Sequence, residues 1–181
     1  QLDLFGGGEP GSEASDATSG YRTAKDTSTD YQLVATTEAL DALIEALQAS
    51  DTFAFDTETS SLDVMTTQLV GISFSVAAES GFWVPATCAD WSEQKLLERL
   101  QPVFADANKE AIAHYFKFDY KVLAIRGLAF HNKVFDTMVA HYLIQPEASH
   151  KLDRLAETEL GYATIPITDL IGKAGKAQKS M

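Results

Sequence analysis

The stretch Phe53-Ala54-Phe55-Asp56-Thr57-Glu58-Thr59-Ser60-Ser61-Leu62-Asp63 constrains the fold more than any other part of the chain. Phe53 and Phe55 alternate with smaller residues, as a buried strand over Phe53–Thr57 requires, and side chains that repeat every second residue put Asp56 and Glu58 on one side. The strand is predicted to carry both carboxylates out of its end. Like charges held that close repel, and their ionised forms persist only where a cation or a set of donors compensates them. Hard oxygen ligands of this kind suit Mg²⁺ or Mn²⁺ better than Zn²⁺, which takes His or Cys. Asp, Thr and Ser also end strands and cap turns, so the pair by itself leaves a plain structural turn open.

At 181 residues and 45% hydrophobic content the chain can bury one core, and one domain preceded by a tail fits best. It has no apolar run of about 18 residues and no signal-like start, which predicts a cytoplasmic protein with no membrane partner. The single Cys88 has no Cys or His neighbour at a ligand spacing, which excludes an internal disulfide or a zinc site and predicts a small buried hydrophobe. A net charge of −12 argues against phosphate binding over the whole surface, but its distribution is uneven. Residues 1–109 hold 5 basic and 18 acidic side chains (−13), and 110–181 hold 9 basic and 8 acidic (+1). A phosphate-facing surface belongs in the second half.

Residues 1–29 are rich in Gly, Ser, Thr, Asp and Glu and predict a flexible linker. Its first five residues, Gln1-Leu2-Asp3-Leu4-Phe5, place three large apolar groups in this polar segment, which suits docking into a groove of another protein. Strands are expected at Tyr31–Ala35, Leu69–Val76 and Gly81–Pro85, the last two forming a three-strand meander with the Phe53–Thr57 strand. Helices are expected over Thr37–Ala49, with Leu40, Leu43, Ile44 and Leu47 in one stripe, and from Ser92 or Asp90 to Asp106, with Leu96, Leu97, Leu100, Val103 and Phe104 inward. Further on come a strand Glu110–Tyr115, a helix Phe118–Arg126 closed by Gly127, and a short strand at Val134 and Phe135. A helix Asp136–Gln145 turns Met138, Val139, Tyr142 and Leu143 inward, and Lys151–Leu160 forms another. Lys173, Lys176 and Lys179 lie in a Gly-containing basic loop. Strands that first meander and then alternate with helices predict an α/β mixed sheet flanked by helices.

Asp119 is expected at a helix start directly after a strand, where a side chain projects toward a crevice. An isolated Asp there serves as an N-cap; with Asp56 and Glu58 it makes three carboxylates from different strand ends. Such a set can hold two metal ions about 4 Å apart for an in-line phosphoryl displacement, which predicts phosphodiester hydrolysis.

The segments Phe55-Asp56-Thr57-Glu58-Thr59 with Leu62, Lys117-Phe118-Asp119, Phe135-Asp136-Thr137-Met138 and His150-Lys151-Leu152-Asp153-Arg154-Leu155-Ala156 together resemble the 3′ to 5′ proofreading exonuclease domains of bacterial family A DNA polymerases. These are DEDD exonucleases with a ribonuclease H-like fold, and the resemblance runs from about Tyr31 to Met181 in order. It implies a domain over 30–181, a linker from a 5′ nuclease domain before it and a polymerase domain after it. It implies that Asp56 bridges two divalent ions, Mg²⁺ or Mn²⁺, that Glu58 ligates one and orients the attacking water, and that Asp119 serves the other. The substrate is implied to be a single-stranded 3′ end of DNA, touched by Thr57, Lys117, a wedge from Leu62, and Phe135, although Leu62 and Phe135 also suit an ordinary core. Apolar contacts of this sort accept any base. Gln1, Leu2, Leu4 and Phe5 resemble the pentapeptide by which bacterial replication proteins bind the sliding clamp.

Two departures stand out. Tyr115 occupies the place of an Asn, a substrate contact in the family, and the family's last motif, a Tyr with a fourth carboxylate, has no counterpart here. Tyr162 and Asp169 do not fit it in order or context. The chain is therefore expected to be truncated before that motif and weak or inactive alone. The competing reading is an exonuclease-like structural domain without activity, against which stands the joint presence of Asp56, Glu58 and Asp119.

Overall fold

The computed structural model of the chain describes residues 20–166, 168 and 169. Gln1, Leu2, Leu4 and Phe5, like Lys173, Lys176 and Lys179, lie outside the described residues.

A six-stranded mixed sheet forms the centre. Strand β2 (Thr52–Thr59) pairs antiparallel with β3 (Leu69–Ser75), which pairs antiparallel with β4 (Ser80–Pro85), giving the predicted meander. On the other side of β2, β5 (Glu110–Ala113) and β6 (Lys133–Asp136) add in parallel, joined by a helical crossover as parallel strands require. Strand β1 (Asp30–Leu33) adds in parallel to β4 at the far edge.

Helix α1 (Thr37–Ala49) starts at Thr36, whose hydroxyl accepts the Ala39 N–H, and buries Leu40, Leu43 and Leu47. Helix α2 (Glu93–Phe104) starts at Ser92 and buries all five apolar residues of its predicted stripe. Both helices cover the face of β2 that carries Phe53 and Phe55, where Phe104 meets the two rings edge-on at 5.7 and 5.2 Å. The pleat then decides the rest: Ala54, Asp56 and Glu58 project from the opposite face.

Several boundaries differ from expectation for physical reasons. Strand β2 runs on to Thr59, so Asp56 and Glu58 stand within the strand and not beyond its end, because β3 supplies partners as far as Leu69. Strand β5 stops at Ala113, and helix α3 (Phe116–Ile125) begins two residues before Phe118. Tyr115 turns the chain with a left-handed φ of 66°, so Asp119 lies in the first turn of α3 and is not its cap. Helices α4 (Thr137–Ile144) and α5 (Leu152–Leu160) form where predicted. The inward set expected for α4 is wrong, however: Val139, Tyr142 and Leu143 are exposed, Leu143 at 76%, and only Met138 is half-buried. Periodicity identified an apolar stripe, but no described element lies over it.

The end of the predicted linker is held down. The Arg22 N–H donates to the Gly161 carbonyl at 2.9 Å and the Ala163 N–H to the Arg22 carbonyl at 2.8 Å, which also fixes Tyr162 beside Arg22. Cys88 is half-buried, its thiol 3.6 Å from the Ala35 carbonyl. Among the described residues no helix is long and apolar enough to cross a membrane.

Candidate active site

Strand β2 outruns β5, whose last register partners on it are Ala54 and Ile112. Beyond that point the amide of Thr57 has no strand to pair with, and Asp119 fills the place. Its Oδ1 accepts the Thr57 N–H at 3.0 Å and the Thr57 hydroxyl at 2.6 Å. Both residues are buried, Asp119 to 2% exposure, so the first turn of α3 is fastened to β2 between the two residues that carry Asp56 and Glu58. The three predicted carboxylates thus come together at one place. Thr57, expected to touch substrate, donates its hydroxyl to Asp119.

Asp136 sets where α3 begins. Its Oδ1 accepts the N–H groups of Met138 and Val139, capping α4, and also that of Tyr115 at 3.2 Å, while Oδ2 accepts that of Phe116 at 2.9 Å. One carboxylate therefore serves the first turns of two helices, where unpaired amides and the helix dipole favour an anion. The sequence marked Asp136 as a helix start and as part of a segment that carries the family resemblance. What could have revealed its second role is Tyr115, which needs outside help to hold a left-handed turn.

The electrostatics are those of crowded acids. The Asp56 carboxyl is pushed up to about 7, first by lost solvation and then by the charges of Asp119 and Glu58. Solvent still reaches the Asp56 side chain, which limits that loss. Glu58 is raised by burial and by Asp119. Asp119 is raised by burial, against the pull of its bonds from Thr57, and Asp136 adds to the rise. Among the described residues none of the three forms an ion pair with Lys or Arg.

An all-oxygen donor set of like charge fits a hard divalent cation in kind. As positioned, no three His, Cys, Asp or Glu side chains among the described residues make a finished metal cage. Oδ1 of Asp119 is already engaged, which leaves its other oxygen, with Asp56 and Glu58, for an ion.

Leu62 stands on the β2–β3 loop at 72% exposure and Phe135 on β6 at 47%, so neither is an ordinary core residue. Tyr115 is exposed at the head of α3, with the Lys117 ammonium 5.4 Å from its ring centre. Thus Tyr115, Lys117 and Asp119 share one helix end.

The chain is similar to several known proteins. The family described as 3′-5′ exonuclease matches residues 31–180. DNA polymerase I of Borreliella burgdorferi is 36% identical over 146 residues, covering 79% of this chain and 16% of the relative. DNA polymerase I of Pseudomonas aeruginosa is 33% identical over 156 residues, covering 81% and 17%. The chain thus spans about one sixth of the length of these relatives. Among solved structures, Escherichia coli RNase D, an exoribonuclease, superposes with a TM-score of 0.64 at 21% identity over 78% of this chain and 36% of that one. Brucella melitensis NrnC with bound Mg²⁺ does so with a TM-score of 0.55 at 20% identity, over 84% and 70%. These likenesses establish the ribonuclease H-like fold, and the sequence relatives establish the rest: the chain belongs to the 3′-5′ exonuclease family represented in DNA polymerase I.

Proposed function

We propose that the chain removes nucleotides from the single-stranded 3′ end of DNA, as the proofreading domain of a DNA polymerase I in the cytoplasm. The observation that carries this reading is the convergence of Asp56, Glu58 and Asp119 at the end of the β2–β5 ladder with no cationic partner among the described residues. Asp56, Glu58 and the free oxygen of Asp119 would hold two divalent ions, Mg²⁺ or Mn²⁺. When bound, such ions supply an activated water and offset charge on the departing 3′ oxygen. The bound Mg²⁺ of the structurally similar NrnC supports that choice of ion.

The protein's own residues do the placing. Asp56 and Glu58 face the substrate side of the sheet because Phe53 and Phe55 take the other side. Thr57 fixes Asp119. Exposed Leu62 and Phe135 offer apolar contacts to the last bases without reading their identity. Lys117 places positive charge near the backbone phosphates, and Tyr115 stands where it can line the same strand. A polymerase domain in the same protein would deliver the 3′ end, and Gln1, Leu2, Leu4 and Phe5 would tether the whole to a sliding clamp.

The test is digestion of a 5′-labelled single-stranded DNA by the full-length protein with Mg²⁺ titrated in. Shortening from the 3′ end that Asp56→Ala abolishes, together with lost Mg²⁺ binding, supports the enzyme. Mg²⁺ binding unchanged by Asp56→Ala, with DNA ends left intact by the unaltered protein, would instead make this a structural domain. For the tether, Leu4→Ala with Phe5→Ala should abolish clamp binding.

A further inference from the structure

The face of the sheet that carries Asp56 and Glu58 continues across β3 and β4. Ser73 is the register partner of both Asp56 and Trp83, and Gly71 is the partner of Glu58, so these residues share one face. The indole of Trp83 does not stand away from the sheet. It lies back over β3, for a Cβ built on Gly71 would meet two atoms of its six-membered ring at 2.4 Å. The ring therefore occupies the space above Gly71, one strand spacing, about 5 Å, from Glu58. Beyond it, Tyr31, Leu33 and Gly81 complete a shallow apolar cleft of about 370 Å³ that runs to the sheet edge, with Tyr31 and Leu33 both exposed.

This surface is apolar but lies beside three carboxylates, in the half of the chain that carries −13. It offers a phosphate no lysine or arginine. The uncharged face of a nucleobase needs none, and stacking on an aromatic ring accepts every base. The positive charge proposed above for the backbone phosphates, Lys117, lies instead on α3, whose Asp119 reaches β2 on the side of β5.

We infer that Trp83, laid over Gly71 beside Glu58, is a base-stacking platform for an unpaired nucleotide of the strand being degraded, with the cleft toward Tyr31 and Leu33 as its continuation. Trp83 thereby acts on substrate binding, while the carboxylates act on the bond. The inference rests on the nucleic-acid substrate proposed above. It also assigns Gly71 a purpose, since any side chain there would lift the indole off the strand.

The experiment measures steady-state digestion of 5′-labelled oligo(dT), about ten nucleotides long, by the full-length protein. Trp83→Ala is expected to raise KM about tenfold, with kcat within about twofold, and Trp83→Phe to restore KM to within about threefold of the original, as suits a stacking contact. A scan with one abasic nucleotide at successive positions, on the unaltered protein, should show one or two positions that raise KM as Trp83→Ala does. At those positions Trp83→Ala should add nothing further. A penalty from Trp83→Ala that persists undiminished on the abasic substrates, or a KM indifferent to the indole, would overturn the platform while leaving the nuclease intact. Oligo(dT) untouched by the unaltered protein would overturn the substrate reading, and this inference with it.

Discussion

Replacing Thr57 by Val keeps the branched shape that a strand favours and exchanges one hydroxyl for a methyl. The lost contact is the 2.6 Å bond to Oδ1 of Asp119, between side chains 6% and 2% exposed. A hydrogen bond to a charged group contributes about 1.5–3 kcal/mol, and burying the new methyl returns roughly 0.8 kcal/mol. The net loss is then about 1–2 kcal/mol. For a domain of this size that corresponds to a fall in Tm of about 2–8 °C. Urea unfolding at neutral pH should show the loss as a lower midpoint with an unchanged m value. The decisive comparison repeats the substitution in an Asp119→Ala background, where no carboxylate is left to hold. There the penalty should shrink to within about 0.5 kcal/mol of zero. An equal penalty in both backgrounds would show that Thr57 stabilises β2 by itself and refute its role as the clamp of Asp119.

Three further outcomes follow from the same geometry. Because Asp56 is raised from 3.8 to about 7 in the folded protein, and Glu58 and Asp119 are raised too, the native state holds more protons than the unfolded one. Stability in a chelating buffer should therefore fall as pH rises from about 4 to about 7, and millimolar Mg²⁺ should flatten the decline; a midpoint that climbs over that interval without metal contradicts the crowded-acid picture. Asp136→Ala leaves four N–H groups on two helices without their acceptor and should cost about 2–3 kcal/mol, with a matching loss of exonuclease activity, measured by urea unfolding and by single-stranded DNA digestion. Gly71→Ala puts a methyl against Trp83 and the Val84 carbonyl, and calorimetry should record a loss of about 1–3 kcal/mol; no loss would mean that the indole moves aside freely.

Much of the frame was legible because it rests on local patterning. The alternation at Phe53 and Phe55 predicted β2, and the stripes of α1 and α2 predicted which leucines would be buried. The grouping of Asp56, Glu58 and Asp119 was legible too, through spacing and resemblance. What escaped depends on contacts between distant segments. Nothing near Thr57 announces that its hydroxyl will be taken by a residue 62 positions away. The early start of α3 needed Asp136, 21 residues downstream of Tyr115, to hold a turn that local preference does not favour. The exposure of α4 illustrates the converse: a stripe of apolar residues predicts a face, and only the surrounding elements decide what meets it.

Asp136 has a mechanical consequence. With both oxygens pinned between the first turns of α3 and α4, it couples the two like a rivet, so neither can tilt without dragging the other. Phe135, its neighbour in the chain, and Asp119, one turn into α3, therefore travel together. In the proposed nuclease, a strand end pressing on Phe135 would therefore shift Asp119 with it through a single carboxyl group, joining grip on the substrate and placement of the acids in one motion.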